Sequence, residues 1–172
     1  MSTASTNSVT DEVRGQVSGY APGEQRPLAA YAVLSGGFFA VLGGCLAAAR
    51  ATGRDIDRPS AADVVLHGLA TQKLSRLIAK DKVTSVFRAP FTRFQEASGH
   101  GELEEAPRGD GLRYAVGELL VCPYCVAQWV AGAITVAHVF APRTTRALSA
   151  MWAAQAIADG AQLVYSAAES RS

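Results

Sequence analysis

Cysteine is scarce in this chain. Three cysteines in 172 residues, only two of them close together, cannot build the disulfide framework of a small secreted domain. Net charge is scarce as well. Sixteen Lys and Arg against fifteen Asp and Glu leave +1, so no overall field draws nucleic acid or an acidic partner. No Walker loop, HExxH, GxSxG or dinucleotide fingerprint occurs, and the balance of the reading is against an enzyme. Residues 1–26 contain no short apolar core of a secretory signal. They are rich in Ser, Thr, Gly and charge without an apolar period, which predicts a disordered polar tail.

What the chain does have is long uncharged runs. Residues 27–49 carry no charge and are long enough to cross a bilayer core of about 30 Å as a helix. The Gly36-Gly37 and Gly43-Gly44 pairs in that run would let helix backbones approach each other in lipid. A second run, from Leu119 to Pro142, has no ionisable side chain apart from His138 and the thiols and phenol of Cys122-Pro123-Tyr124-Cys125. A third, 147–168, carries one charge, Asp159. Between them, residues 61–80 place Val65, Leu66, Leu69, Leu74, Leu77 and Ile78 on a helical stripe, with Ser60 as the N-cap. Lys73 and Arg76 on that helix would each cost roughly 2.5–3.5 kcal/mol at a bilayer centre, so it either lies in the interface or spans with the cations reaching outward.

These runs predict an all-α integral membrane helical bundle over 27–168, a single domain with three transmembrane helices and a fourth, amphipathic or spanning, at 61–80. Residues 79–113 read as a polar loop. The cations on either side of the helices place that loop and the CxxC at the cytoplasmic face of a cell membrane, as a multi-pass protein.

Three constellations are candidates for chemistry. Cys122 and Cys125 stand at the start of a predicted helix, with Cys122 near the N-cap and Pro123 at the first helical position, where a missing N–H is harmless. A helix N-terminus favours thiolate, so the pair suits redox exchange. As half of a zinc site it would need two more ligands, with His67, His100, Glu118 or a second subunit's cysteines as the candidates. The plain alternative is packing, since free Cys is a small residue that buries well. CPYC is also the tetrapeptide of glutaredoxins, but 47 residues reading as two apolar helices follow it, which excludes that fold. Lys73, Arg76 and Lys80 share a helix face, and Lys82, Arg88 and Arg93 follow. Together they form a candidate site for anionic lipid or phosphate, against the simpler reading of positive-inside anchoring. Asp159, inside an uncharged run, needs a partner such as Lys73, Arg76 or His138, and marks either an ion path or a polar lock between helices. His67 and His138 read as packing histidines.

The blocks 73–91, 107–125 and Gln128-Trp129 together resemble a bacterial family of small multi-pass membrane proteins, domain of unknown function 1360, with relatives among spore-forming bacteria. The resemblance covers roughly 28–168. It implies a helical membrane protein and supplies no activity or catalytic residue. If the shared blocks mark a site, it would draw on Lys73, Arg76, Lys80, Asp81, Lys82, Thr84, Arg88, Pro90 and Phe91, with Glu118, Cys122, Cys125 and Trp129 from the later blocks. The leading expectation is a structural or interaction component presenting a basic cytoplasmic loop to lipid or a partner. The alternative is a membrane thiol protein using the CxxC for redox exchange or metal binding. Membrane lipids, and a protein partner or second copy, are the expected contacts, without nucleic acid. No cofactor is expected, with zinc at the thiols as the exception.

Overall fold

The computed structural model describes residue 20 and residues 26–54, 56 and 58–171. The tail expected over 1–26 therefore lies outside the described residues, apart from Tyr20 and Arg26. The helices are α1 (Leu28–Ala51), α2 (Ala61–Lys80), the short α3 (Ser85–Arg88), α4 (Gly111–Val121), α5 (Pro123–Phe140) and α6 (Pro142–Glu169). The strands β1 (Thr92–Gly99) and β2 (Glu102–Pro107) lie between α3 and α4.

Helix α2 begins where Ser60 caps it. The Ser60 side chain accepts from the Asp63 N–H, and the Asp63 carboxylate reaches back to the Ser60 N–H, a reciprocal capping box. Helix α2 then packs against both α5 and α6. It runs antiparallel to α5, with His67 beside His138 and Leu74, Ile78 and Ala79 against Val126 and Val130. It runs parallel to α6, with Asp63 on Arg146, His67 on Ser149 and Lys73 on Asp159. The buried residues of the two helices include small ones (Ala70 and Ser75 on α2, Ser149 and Ala153 on α6), and small residues let helix backbones come close.

Helix α1 lies along α5 in the same direction. Tyr31 reaches Glu118 ahead of α5, the Phe38 ring meets Trp129, and the Arg54 guanidinium donates to the Phe140 carbonyl. Gly132 makes room for that contact: a Cβ there would stand 2.9 Å from the Phe38 ring.

Two features correct the expectation of an all-α bundle with three or four spans. The first is the antiparallel hairpin inside the segment expected to be a loop. Its turn is tight, with Gly99, His100 and Gly101 all at positive φ (84°, 51° and 79°). Positive φ at both residues between the paired Gly99 and Glu102 is what a two-residue hairpin turn requires. Little of the hairpin is apolar, and charge docks it instead. Glu102 and Glu104 pair with Arg76 and Lys80, while Glu105 pairs with Arg88. Two residues of strand advance about 6.6 Å and four residues of helix about 6 Å, so the two glutamates match the two cations in step. A search for apolar periodicity cannot see such docking.

The second correction concerns the spans. Among the described residues, only α1 and α5 are long and apolar enough to cross a membrane. Helix α6 is uncharged over most of its length, but its residues are largely Ala, Ser, Gln and Gly, and lack of charge is not hydrophobicity. Helix α2 carries Asp63, Lys73, Arg76 and Lys80. In each apolar window of α1 and α5 only 6% is buried inside the molecule, whereas the core helix of a soluble protein would be mostly buried.

Candidate functional site

Helix α4 ends at Val121, and Cys122 breaks to extended backbone (φ −103°, ψ 104°) before α5 starts at Pro123. This makes Cys122 the N-cap of α5 with Pro in the first turn. Its sulfur accepts from the Cys125 N–H at 3.2 Å and from the Cys125 thiol at 2.6 Å. Both are free thiols. Both donors come from Cys125, and the sulfur of Cys122 sits at the N-terminal end of α5.

Cys125 borders a cleft of about 820 Å³ between α1, α4 and α5. Its walls include Phe38, Phe39, Leu119 and Trp129, with the Phe38 and Trp129 rings edge to face at 5.2 Å. Set into this largely apolar lining is a polar group built on Glu118, one turn before Cys122. The carboxylate accepts from the Tyr31 hydroxyl and from the Arg26 guanidinium. Gly117 allows this placement, because a Cβ there would stand 2.5 Å from the Phe91 carbonyl oxygen and 2.9 Å from Pro107. The preceding residue must be glycine for α4 to lie on the hairpin. Glu118 and Trp129, which the family resemblance groups with the thiols, thus share one cleft with Cys125. The partnership of Tyr31 and Arg26 with Glu118 spans about ninety residues, and nothing in the sequence announces it.

The basic candidates are distributed differently. Lys73 pairs with Asp159 at 2.6 Å, which gives that carboxylate the first of its expected partners. Arg76 forks onto Glu102, and Lys80 meets Glu104. Arg88 is 1% exposed, and its guanidinium is held by Glu105, the Ile78 and Asp81 carbonyls and the Thr84 hydroxyl. Lys82 and Arg93 stand outside these four ion pairs. The structure does not bring the six cations to one anion site.

A further cluster lies at the far end of α5. His67 Nε2 is 3.0 Å from His138 Nδ1, and His67 Nδ1 is 2.9 Å from the Ser149 hydroxyl. Asp63, one turn before His67, is clamped by Arg146 and Ser60, which hold its carboxyl well below the usual carboxylate range. Burial, and after it the neighbouring His138, lowers the pKa of His67. The i, i+4 spacing of Asp63 and His67 was visible in the sequence. Their meeting with His138, 71 residues away, was not.

The family of proteins of unknown function named DUF1360 matches residues 66–165. Sporulation protein YjcA of Bacillus subtilis (strain 168) is 31% identical over 86 residues, which are 48% of this chain and 73% of that protein. UPF0713 protein YngL of the same organism is 31% identical over 91 residues, 51% of this chain and 66% of that protein. No solved structure matches the chain.

Proposed function

The chain belongs to the DUF1360 family of proteins of unknown function, and from that premise we propose that it is a membrane-anchored dithiol protein whose Cys122 and Cys125 exchange with disulfides at the cytoplasmic face. The observation that carries this reading is the thiol pair itself, two free cysteines in direct contact at a helix N-terminus, with Cys125 bordering the cleft between α1, α4 and α5. Membrane anchoring is supported by the largely exposed apolar windows of α1 and α5. The cytoplasmic assignment is supported by the cations. The thiol end carries Arg26, Lys80, Lys82, Arg88, Arg93, Arg108 and Arg113, against Arg50, Arg54, Arg58, Arg143 and Arg146 at the other end.

The exchange balances without a cofactor. Cys122 thiolate attacks one sulfur of a substrate disulfide RSSR, forming a mixed disulfide and expelling RS⁻. Cys125 gives up its proton to the expelled RS⁻ and attacks Cys122 Sγ, expelling the second RS⁻. Two protein thiols and one RSSR become one intrachain disulfide and two RSH once the leaving thiolates take up the released protons.

The test is alkylation with a maleimide-polyethylene glycol after equilibrating the detergent-solubilised protein across dithiothreitol buffers from reducing to oxidising. The pair is expected to pass between two-modified and unmodified forms as a unit. A Cys125→Ser variant treated with glutathione disulfide should stop at the mixed disulfide. If both thiols stay open to alkylation under every condition, the reading fails.

A second reading, contact of the 82–94 segment with lipid headgroups, is favoured by the exposure of Val83, Val86 and Phe87 (84%, 66% and 75%) beside Lys82. A double Val86→Ser, Phe87→Ser variant should release the isolated segment's grip on anionic vesicles, and unchanged binding would refute it.

A further inference from the structure

We propose that Asp63, His67 and His138 form a binding site for a divalent transition-metal ion of the zinc class, at the opposite end of α5 from the thiols. The three candidate ligand atoms lie within 4.8 Å of one another. The two imidazole nitrogens are 3.0 Å apart, whereas two nitrogens bound to one tetrahedral zinc at 2.0–2.1 Å stand about 3.3 Å apart. The separation of the pair is thus within about 0.3 Å of that in a ligating pair, and turning the rings so that both nitrogens aim at one ion would complete the change.

The surroundings are those of a metal site as well. His67 uses its other nitrogen on the Ser149 hydroxyl, the outer contact that normally fixes the tautomer and aim of a ligating histidine. Asp63 is anchored, but not fully used. Its Oδ2 takes the Ser60 N–H, the Ser60 hydroxyl and one Arg146 N–H, while Oδ1 accepts only the Arg146 Nε–H at 2.7 Å. A carboxylate offers about four acceptor sites, so Oδ1 retains a lone pair. The Arg146 charge is matched by that same carboxylate. Two imidazoles and one carboxylate form a borderline donor set that suits zinc and its neighbours better than calcium or magnesium. Three protein ligands would leave a coordination position for water.

This site does not depend on the thiol reading. His138 follows Cys125 by thirteen residues of helix, about 20 Å, so the cysteines of the same chain cannot complete it. The test uses the full chain in detergent, carrying Cys122→Ser and Cys125→Ser to silence the thiols, stripped with chelator and titrated with zinc by calorimetry and elemental analysis. One zinc per chain is expected. His67→Gln and His138→Gln should each weaken binding by at least tenfold with helical circular dichroism unchanged, and Ser149→Ala by about 10- to 100-fold. Where a histidine variant loses its helical signal, cobalt(II) added to the thiol-free chain decides the matter. Intense visible bands of a four- or five-coordinate site are expected, and the weak spectrum of aqueous cobalt would overturn the proposal. Failure of the thiol-free chain to bind zinc stoichiometrically would also overturn it, as would folded histidine variants that bind zinc unchanged, leaving a hydrogen-bonded histidine pair.

Discussion

Replacing Arg88 by Met should unfold the hairpin end of the molecule without any lipid or partner being present. Arg88 and Glu105 are 1% and 5% exposed and form an ion pair out of water. The same guanidinium also holds the Ile78 carbonyl at 2.8 Å and the Asp81 carbonyl at 3.0 Å, both at the C-terminal end of α2, and the Thr84 hydroxyl at 2.7 Å. Met fills most of the volume but leaves Glu105 as an uncompensated buried charge. Breaking a buried pair in this one-sided way costs about 3–5 kcal/mol. For a chain of this size, about 2–4 °C of melting temperature per kcal/mol makes the expected drop roughly 6–20 °C.

Circular dichroism of the detergent-solubilised protein, scanned at one fixed rate, measures it. The double variant Arg88→Met, Glu105→Leu removes both charges and should recover most of the loss, because apolar replacement of a whole buried pair is often close to neutral. The reasoning is refuted if Arg88→Met melts within 2 °C of the parent, or if the double variant is no better than the single one. Either result would mean that Arg88 is not the buried clasp between α2, the loop after it and β2.

Three smaller perturbations test other contacts. Gly117→Ala puts a methyl 2.5 Å from the Phe91 carbonyl and should cost about 1–3 kcal/mol of stability; an unchanged melting curve would mean that α4 can lift off the hairpin freely. Asp159→Asn leaves Lys73, 16% exposed, without its carboxylate, and because Asp159 itself is about half exposed the loss should be near 1 kcal/mol; a loss above 3 kcal/mol would assign this pair a core role it does not have here. Tyr31→Phe removes the hydroxyl that Glu118 accepts from and should change the rate at which the thiols are alkylated while leaving helicity intact, and an unchanged rate would detach that contact from the cleft's chemistry.

Parts of this molecule were legible in the sequence for local reasons. Ser60 before an apolar stripe does cap α2, and Cys122-Pro123 does open α5, because caps and first turns depend on residues one to four apart. Asp159 was legible as a group in need of a cation, and Lys73 was among the partners its position allowed. The hairpin was not legible, since β1 and β2 bury little apolar side chain and are docked by Glu102, Glu104 and Glu105 on cations of α2 and α3. The same pairs explain why a row of basic residues that reads as an anion site is largely neutralised within the fold. A sequence shows how many charges a segment carries, but their partners are set by the tertiary structure. The span count differs for a related reason: α6 lacks charge over most of its length, but its weakly apolar Ala-rich surface falls short of what a bilayer requires.

Helix α5 ties the two candidate chemistries to one rigid element, yet they should behave independently. Its N-terminus carries the thiols, its middle packs Gly132 against Phe38 and Val126 and Val130 against α2, and its last turns carry His138. About 20 Å of helix separates the two ends, and the residues between them are apolar or small apart from Gln128, with no hydrogen-bonded chain connecting the ends among the described contacts. Sites this far apart without shared partners are additive within about 0.3–0.5 kcal/mol. The thiol pair replaced by serines, His138→Gln, and the three changes combined should therefore give melting shifts that add, and His138→Gln should leave the trapped fraction of mixed disulfide unchanged. A combined variant departing from the sum by more than 1 kcal/mol, or a histidine change that alters thiol trapping, would show that α5 transmits between its ends. The thiols and the histidines would then have to be treated as one site.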